Sequence, residues 1–202
     1  MNVLVTGFEP FGGERINPSW EAVRRLPAHI DGATVTTVQL PTAFQRGERA
    51  LLCALERRRP ERVLCVGLAG GRKGFTLERV GINLRDARIP DNDGVQPEDQ
   101  PVRPDGPAAR FATLPVKKMA QELNRAGIPA AVSYTAGTYV CNDILYTLLD
   151  WQAREMPESR GGFLHLPYTL EQAAEKGANV PGMALEEMVR GLSLAVRLAA
   201  GA

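Results

Sequence analysis

The chain has little of several features that would mark a particular class of protein. Its 202 residues include only three cysteines and two histidines, and aromatic residues make up 6%. No run of about 18 apolar residues occurs, so we expect neither a membrane-spanning helix nor a membrane partner. The cysteines are widely spaced and form no CxxC pair, which argues against a disulfide framework and a cysteine-ligated zinc site. A reducing, cytoplasmic location fits this pattern best.

An excess of charge of either sign is also missing. The formal net charge is +1, and charged residues make up 23% of the chain. This balance gives no electrostatic reason to expect a nucleic acid partner. The length fits a single domain, residues 1–202, with a substantial core, and it is short for two domains.

Five short runs of apolar or β-branched residues predict β-strands. Stretches with apolar residues at three- and four-residue spacing lie between them and predict amphipathic helices, one of which begins near Cys141. The alternation predicts an α/β fold, a three-layer sandwich with a central, largely parallel (mixed) twisted sheet and helices on both faces. The five predicted strands are Asn2 to Thr6, Thr34 to Gln39, Arg62 to Val66, Ala130 to Tyr134, and Gly162 to Leu166.

One segment, residues 74–107, breaks this alternation. It is rich in Pro, Asp, Arg and Gly and is too long for an ordinary connection. We therefore expect an excursion, partly a hairpin, that reaches over the site or toward a neighbouring subunit. Its DNDG sequence, from Asp91 to Gly94, begins like a calcium-binding loop but lacks the rest of that pattern, so a turn is the better prediction.

The TGFEPFGGE sequence, residues 6–14, has two glycines spaced as in a phosphate-binding loop. A Walker loop would continue with Lys and then Ser or Thr, but Gly13 and Glu14 stand there, and a carboxylate repels phosphate. Phosphate binding is therefore weakly supported. Phe8 and Phe11 have two open interpretations, as core residues beneath a tight turn or as walls of a site at the strand end.

Cys141 is the best nucleophile among the three cysteines. Cys53 and Cys65 lie among aliphatic residues and are predicted to be small core residues. Cys141 instead follows a strand and opens a long apolar-periodic helix. Unpaired N–H groups at a helix N-terminus carry positive partial charge, which favours a thiolate there.

A thiol nucleophile usually needs a base and a group that orients the base. His29 lies in a PAHIDG sequence that predicts a surface turn, whereas His165 lies near the end of the last predicted strand. For His165, a structural and a catalytic role both stay open. Glu78 has apolar and β-branched neighbours that indicate an ordered, partly buried position, but this pattern does not by itself select it from the other carboxylates.

Four stretches carry a family resemblance. They are TGFEPFGGERINPSWEAV, GGRKGFTLERVGINLRDARIPDN, TAGTYVCNDILY and FLHLPY, and they follow one another in this order. Together they resemble pyroglutamyl peptidase I, the pyrrolidone carboxyl peptidase family of cysteine peptidases. The resemblance runs from Met1 to about Glu187.

This resemblance implies an activity and a catalytic set. The family removes an N-terminal 5-oxoproline (pyroglutamate) from peptides, with neither a metal nor a cofactor. By resemblance, Cys141 is the nucleophile, His165 the general base, and Glu78 the glutamate that orients the imidazole. Cys141 would attack the pyroglutamyl carbonyl, and water would hydrolyse the resulting thioester. The resemblance also implies a homo-oligomer, with a tetramer among the candidate assemblies.

The pocket for a pyroglutamyl ring should be apolar with a few polar groups, because the lactam is neutral. The resemblance places Phe8 and Phe11 in its apolar walls. Asn17 is interpreted either as a polar contact to substrate or as a helix cap, since it precedes Pro18.

Three further positions follow from the resemblance. Arg88 matches a family position near the site, where it would assist at the oxyanion, although an arginine in a polar loop is more often solvated. Leu68 stands where the family commonly has glutamine, so a side-chain hydrogen bond from that position is absent. Backbone groups of Gly70 and Gly71 remain available for substrate contacts.

Two other functions are weighed against this one. A class I glutamine amidotransferase also uses cysteine, histidine and glutamate, but its glutamate follows the histidine by two residues, where this chain has Pro167. A nonenzymatic nucleotide-binding protein would use the glycines of residues 6–14, but the Lys and Ser/Thr needed for phosphate are missing.

Overall fold

The computed structural model describes residues 1–202. The eleven strands are β1 (Asn2–Phe8), β2 (His29–Ile30), β3 (Ala33–Leu40), β4 (Arg62–Leu68), β5 (Phe75–Glu78), β6 (Val80–Ile82), β7 (Ala109–Phe111), β8 (Ala130–Ser133), β9 (Arg160–Leu166), β10 (Tyr168–Thr169) and β11 (Gly182–Met183). The six helices are α1 (Pro18–Val23), α2 (Phe44–Arg58), α3 (Val116–Arg125), α4 (Val140–Glu155), α5 (Leu170–Lys176) and α6 (Leu185–Ala200).

Seven of the strands form one sheet in the order β2-β3-β1-β4-β9-β5-β8. The pairs β3/β1, β1/β4, β4/β9 and β5/β8 are parallel, whereas β5 pairs antiparallel with β9 and β2 antiparallel with β3. The predicted mixed, largely parallel sheet is confirmed. The antiparallel pairing of β5 with β9 determines how Glu78 and His165 lie relative to each other.

The two faces of the sheet have separate apolar cores. Side chains alternate along a strand, so Val3 and Val5 pack on one side with residues of α1, α3 and α6, while Leu4 packs on the other with residues of α2 and α4. Helices therefore cover both faces, as predicted for a three-layer sandwich. The face covered by α2 and α4 carries the site described below.

All five predicted strands are present, with ends that differ by one or two residues. The prediction that residues 74–107 leave the fold as an excursion is wrong for its first part, because β5 is a central-sheet strand. Phe75 and Leu77 are buried on the face of α3 and α6, and Glu78 is fully buried on the other. A four-residue strand with a charged end lacks the apolar run that reveals strands such as β4 in the sequence.

The rest of that segment packs against the first turn of α4. Strand β6 pairs antiparallel with β7, which lies just beyond the segment, so the pair is not a hairpin within residues 74–107. Asn142 accepts a hydrogen bond from the Ile82 N–H and donates to the carbonyls of Ile82 and Leu84, each at 2.9 Å. The side chain next to the predicted nucleophile thus fixes the segment that crosses the site.

The DNDG sequence forms a turn around the buried Asp91. One carboxylate oxygen accepts from the N–H groups of Asp93 and Val95, and the other accepts from the N–H of Phe44 at the start of α2. Both oxygens therefore serve backbone groups, as in an Asx turn. Asp91 also acts as a cap for α2 from a distant part of the chain.

Cys53 is exposed on α2, so its prediction as a core residue is wrong. Leu51, Ala54 and Leu55 occupy the buried side of this helix, and the helical period turns position 53 away from them. Cys65 is buried in β4, as predicted. None of the helices has both the length and the apolar character that a bilayer-spanning segment needs.

Candidate active site

Glu78 and His165 lie on the same face of the sheet, because side chains alternate between the two faces along each strand. On β9, His165 shares its face with Phe163, whose ring centroid lies 4.8 Å from that of the imidazole. On β5, Phe75 and Leu77 face α3 and α6, so Thr76 and Glu78 face α4. Because β5 and β9 are antiparallel, with Thr76 opposite His165, the Glu78 side chain approaches the imidazole diagonally across the pair.

Cys141 is the second residue of α4, the helix that covers this face of the sheet. Gly67, the β4 residue directly opposite His165 in the sheet, leaves room for it. A Cβ atom on Gly67 would lie 3.0 Å from the Cys141 sulfur and 2.8 Å from the ring of Phe163. The thiol thus occupies the space beside His165 that a side chain at position 67 would fill.

The Glu78 carboxylate and the His165 imidazole are joined by a hydrogen bond of 2.8 Å between Oε1 and Nδ1. An ionised carboxylate only accepts, so Nδ1 carries the proton and Nε2 is the basic nitrogen. Both side chains are buried, at 0% and 4% exposure. Burial lowers the pKa of His165, and the bond to Glu78 only partly opposes this. The imidazole is therefore neutral at pH 7.

Two effects in the folded chain oppose the thiolate that the helix N-terminus predicts. Burial raises the pKa of Cys141 to about 12, and the negative charge of Glu78 raises it as well. The positive charge of Arg72 opposes both effects. Both shifts favour the neutral forms, a thiol at Cys141 and an uncharged imidazole at His165.

The first turn of α4 offers hydrogen-bond donors beside the sulfur. Tyr139 is the N-cap, and no side chain caps the helix there. The N–H groups of the first helical residues have no partner within the helix, so those of Val140 and Cys141 are free to bind an oxyanion. These two donors belong to adjacent residues of the helix that carries the sulfur.

A cavity of about 430 Å³ opens at Cys141 and His165. Its walls come from four loops: the one after β1, the one after β4, the segment clamped by Asn142, and the one before α4. The charged residues in the lining are Arg72, Asp86 and Arg88. Half of the lining is hydrophobic, as expected of a site for a mainly apolar group.

The structure separates the two phenylalanines of the opening loop. Phe11 lines the cavity, with its ring centroid 6.2 Å from that of Tyr139. Phe8 is 2% exposed, lies in the core between the sheet and α2 and α4, and contacts the ring of Phe163 rather than the cavity. The cavity-wall and core interpretations thus apply to Phe11 and Phe8, respectively.

Asn17 is a helix cap in the structure. Its Oδ1 accepts from the N–H and the hydroxyl of Ser19, and its Nδ2 donates to the carbonyl of Glu9. The side chain is 2% exposed; the bonds of Oδ1 serve the start of α1, and the bond of Nδ2 holds the loop after β1. The structure therefore favours the cap over the substrate contact.

Arg88 lines the cavity, whereas Gly70 and Gly71 lie beside it and are absent from its lining. Gly71 has a positive φ of 84°, which explains the glycine there. A side chain on Gly70 would collide with the ring of Tyr168. Both glycines shape the loop after β4, which brings Leu68 and Arg72 to the cavity.

Sequence reasoning missed three contributors to the site. Tyr139 lines the cavity, and its hydroxyl donates to the Pro90 carbonyl at 3.1 Å. Gly67 lies inside β4, and a glycine inside a strand is a signal for the close approach of another group. Nothing in the sequence around Asn142, apart from its position next to Cys141, indicated a role in the site.

The residues of the chain form no cluster of three or more His, Cys, Asp or Glu suited to hold a metal.

Comparison with known proteins identifies the family. A family model described as pyroglutamyl peptidase matches residues 1–201. The chain belongs to the pyroglutamyl peptidase family. It is 52% identical to the pyrrolidone-carboxylate peptidase of Levilactobacillus brevis, over 98% of this chain and 96% of the relative, and 50% identical to pyrrolidone-carboxylate peptidase 1 of Streptococcus pneumoniae, over 97% and 91%.

Solved structures of the pyroglutamyl peptidase family share the fold. Pyroglutamyl peptidase I from Bacillus amyloliquefaciens superposes with a TM-score of 0.95 at 47% identity, covering all of this chain and 97% of that one. A mutant pyrrolidone carboxyl peptidase from Pyrococcus furiosus gives 0.96 at 40% identity, covering all of this chain and 99% of that one. These relatives support a cysteine peptidase and support neither a glutamine amidotransferase nor a nucleotide-binding protein.

Proposed function

We propose that this peptidase hydrolyses the amide bond after the N-terminal pyroglutamyl residue of peptides, through a thioester on Cys141. The 2.8 Å bond from His165 Nδ1 to Glu78, with the Cys141 thiol in the same cavity, carries the proposal. A nucleophile, a base and a group that orients the base are the parts that covalent acyl transfer needs. Family membership supplies the substrate class.

The proposed mechanism starts from the neutral pair. As the Cys141 sulfur attacks the pyroglutamyl carbonyl, His165 Nε2 takes the thiol proton, and Glu78 stabilises the imidazolium that forms. The N–H groups at the start of α4 bind the oxyanion. His165 then passes its proton to the leaving amine, which frees the shortened peptide. Water, activated by the same nitrogen, hydrolyses the thioester and releases pyroglutamate.

The lining of the cavity suits a neutral N-terminal ring. Asp86 is its only carboxylate, and it is accompanied by Arg72 and Arg88, so the lining has no excess negative charge that would attract a free α-ammonium group. Phe11 and Tyr139 offer aromatic surface to the ring. In our proposal, Arg88 assists at the oxyanion, and Phe8 supports the wall from the core without contacting substrate.

Hydrolysis of a fluorogenic pyroglutamyl amide tests the activity, with a prolyl amide that bears a free amine as the specificity control. We expect turnover of the first substrate only, with loss of about 10³-fold or more in Cys141→Ala. Cys53→Ala is the matched control, because it removes an exposed thiol on α2 that does not line the cavity. Equal turnover of both amides, or an active Cys141→Ala variant, would overturn the proposal.

We further propose a homo-oligomer, specifically a tetramer, in the cytoplasm. Phe111 and Tyr134 are 64% and 66% exposed, which provides apolar surface for contacts between copies. The three cysteines are free, which fits a reducing compartment. Light scattering coupled to size exclusion measures the mass, and a monomer at micromolar concentration would contradict the assembly. Cell fractionation tests the compartment.

A further inference from the structure

Arg72 lies outside the proposed triad, yet it contacts the triad's carboxylate. Its Nη1 donates to Glu78 Oε1 at 2.8 Å, and His165 Nδ1 donates to the same oxygen at 2.8 Å. The other oxygen, Oε2, is buried without a hydrogen-bond partner. All the hydrogen bonds of this fully buried carboxylate therefore converge on one atom, and they come from one guanidinium and one imidazole.

We propose that Arg72 is a positioning residue that compensates the negative charge of the Glu78 carboxylate and aligns it, so that His165 rests neutral with its proton on Nδ1. The proposal rests on the catalytic roles assigned above to Glu78 and His165. A buried carboxylate whose only partner is a neutral imidazole is strongly destabilised. Such a pair would take up a proton, on the carboxylate or on the ring. The guanidinium supplies the compensating charge that makes this uptake unnecessary.

Arg72 also connects three segments of the chain around the pair. It arises from the loop after β4, and its Nη1 contacts the hydroxyl of Thr76, the residue opposite His165 in the sheet. Its Nη2 donates to the carbonyl of Thr135, at 3.5 Å, in the loop that leads to Cys141. A planar guanidinium can serve these directions at once, whereas a lysine ammonium is a single point on a flexible stem.

The position of Arg72 places its charge between solvent and the buried pair. Its side chain is 29% exposed and lines the cavity, while Glu78 is 0% exposed. Burial lowers the pKa of His165 most, Glu78 opposes this, and the positive charge of Arg72 lowers the pKa further. Without Arg72, the unopposed charge of Glu78 would favour a protonated imidazole, which cannot take the thiol proton.

The test is an NMR titration of the imidazole without substrate, combined with pH profiles of kcat/KM. The chain has two histidines, so in a His29→Gln background His165 gives the only imidazole signals. In Arg72→Gln we expect the titration midpoint and the acid limb of kcat/KM to move up together by about one pH unit. The loss of kcat/KM should be largest at acidic pH and should shrink as the pH rises.

Two variants serve as comparisons. Lys73→Gln removes the same charge from the exposed neighbouring residue and should leave the midpoint and kcat/KM unchanged. Arg72→Lys keeps the charge but loses the planar fork, so it should hold the midpoint near that of the wild type while lowering kcat. A merely structural role would lower activity equally at all pH values and would leave the midpoint of the folded protein in place.

An unchanged His165 midpoint in folded Arg72→Gln would overturn the proposal. Should that variant not fold, the wild-type titration decides, because a midpoint above about 6.5 would show that Arg72 does not hold the ring neutral. These outcomes are independent of the proposed function. Failure of the wild type to cleave a pyroglutamyl amide would overturn the function and leave the titration result standing.

Discussion

Glu78 and His165 are joined by a 2.8 Å hydrogen bond across two strands that run in opposite directions. The antiparallel pairing of β5 with β9 places Thr76, rather than Glu78, directly opposite His165, so the carboxylate reaches the ring along the diagonal. This arrangement fixes the tautomer of the imidazole. It also leaves room at Glu78 Oε1 for Arg72 to bind the same atom.

Replacing Glu78 by glutamine should lower kcat by at least about 100-fold, with a smaller effect on KM. The amide has nearly the same shape but provides no charge to stabilise the imidazolium, and its NH₂ group can select the wrong tautomer. Steady-state kinetics on a pyroglutamyl amide measure the effect. Glu56→Gln, an exposed substitution on α2, is the control, and retention of more than a third of wild-type kcat in Glu78→Gln would contradict the assigned role.

Gly67→Ala should reduce kcat/KM by at least about tenfold and destabilise the fold by about 1–3 kcal/mol, because its methyl group would overlap the Phe163 ring and crowd the Cys141 sulfur. Kinetics and denaturant unfolding together measure both effects. Gly162→Ala, in β9, is the matched control, since its methyl group would lie 3.4 Å from the nearest side-chain atom, an ordinary contact. Equal activity of the two variants would show that the thiol does not depend on this space.

The pH profile should have an acid limb that lies below the ordinary pKa of histidine. The pKa of His165 is lowered by burial, and the neutral ring is the active form, so activity is lost only when the pH falls through this lowered value. The pKa of Cys141 is raised to about 12, so the thiol keeps its proton between pH 7 and 9 and kcat/KM should not fall there. An acid limb centred above about 6.5 would contradict the neutral resting pair.

Alkylation of Cys141 by iodoacetamide provides a separate check of its protonation. The thiolate is the reactive form, so the rate should be low at pH 7 and should still be rising at pH 10. A Cys53→Ser background removes the exposed thiol, and Cys65 is buried. Rapid alkylation that is independent of pH between 6 and 8 would indicate a preformed thiolate instead.

Phe11→Ala and Phe8→Ala should have different effects. Phe11 lines the cavity, so its loss should raise KM while leaving the unfolding temperature nearly unchanged. Phe8 is a core residue, and its loss should cost about 3–5 kcal/mol of unfolding free energy. Kinetics and chemical denaturation on both variants measure the contrast. A stable Phe8→Ala protein with a raised KM would return Phe8 to the cavity wall.

Much of the fold follows from local pattern. Strands such as β1 and β4 have apolar runs because they are buried on both faces, and α3 repeats its buried residues at three- and four-residue spacing. Cys141 could be selected for its place at the start of a long helix. The sequence also carried enough of the four motifs to indicate the family, which the comparisons show.

The protonation of the site could not be obtained in this way. A cysteine at a helix N-terminus predicts a thiolate, but the pKa depends on how much water the folded chain removes from the sulfur and on the charge of Glu78 nearby. Likewise, Phe8 and Phe11 both lie between glycines, and this sequence context does not show which of them is in the core and which lines the cavity. Only the packing of β1 against α2 and α4 buries one and leaves the other in the cavity.

The α/β alternation, the family and the residue types available for catalysis follow from the amino-acid sequence alone. Three features depend on the folded chain: β5 joins the sheet antiparallel to β9, Gly67 leaves space for the thiol, and Arg72 and His165 share one oxygen of Glu78. The physical reason is that local periodicity reports which residues are buried. The direction of a short strand and the partners of a buried charge depend on contacts between residues far apart in the chain.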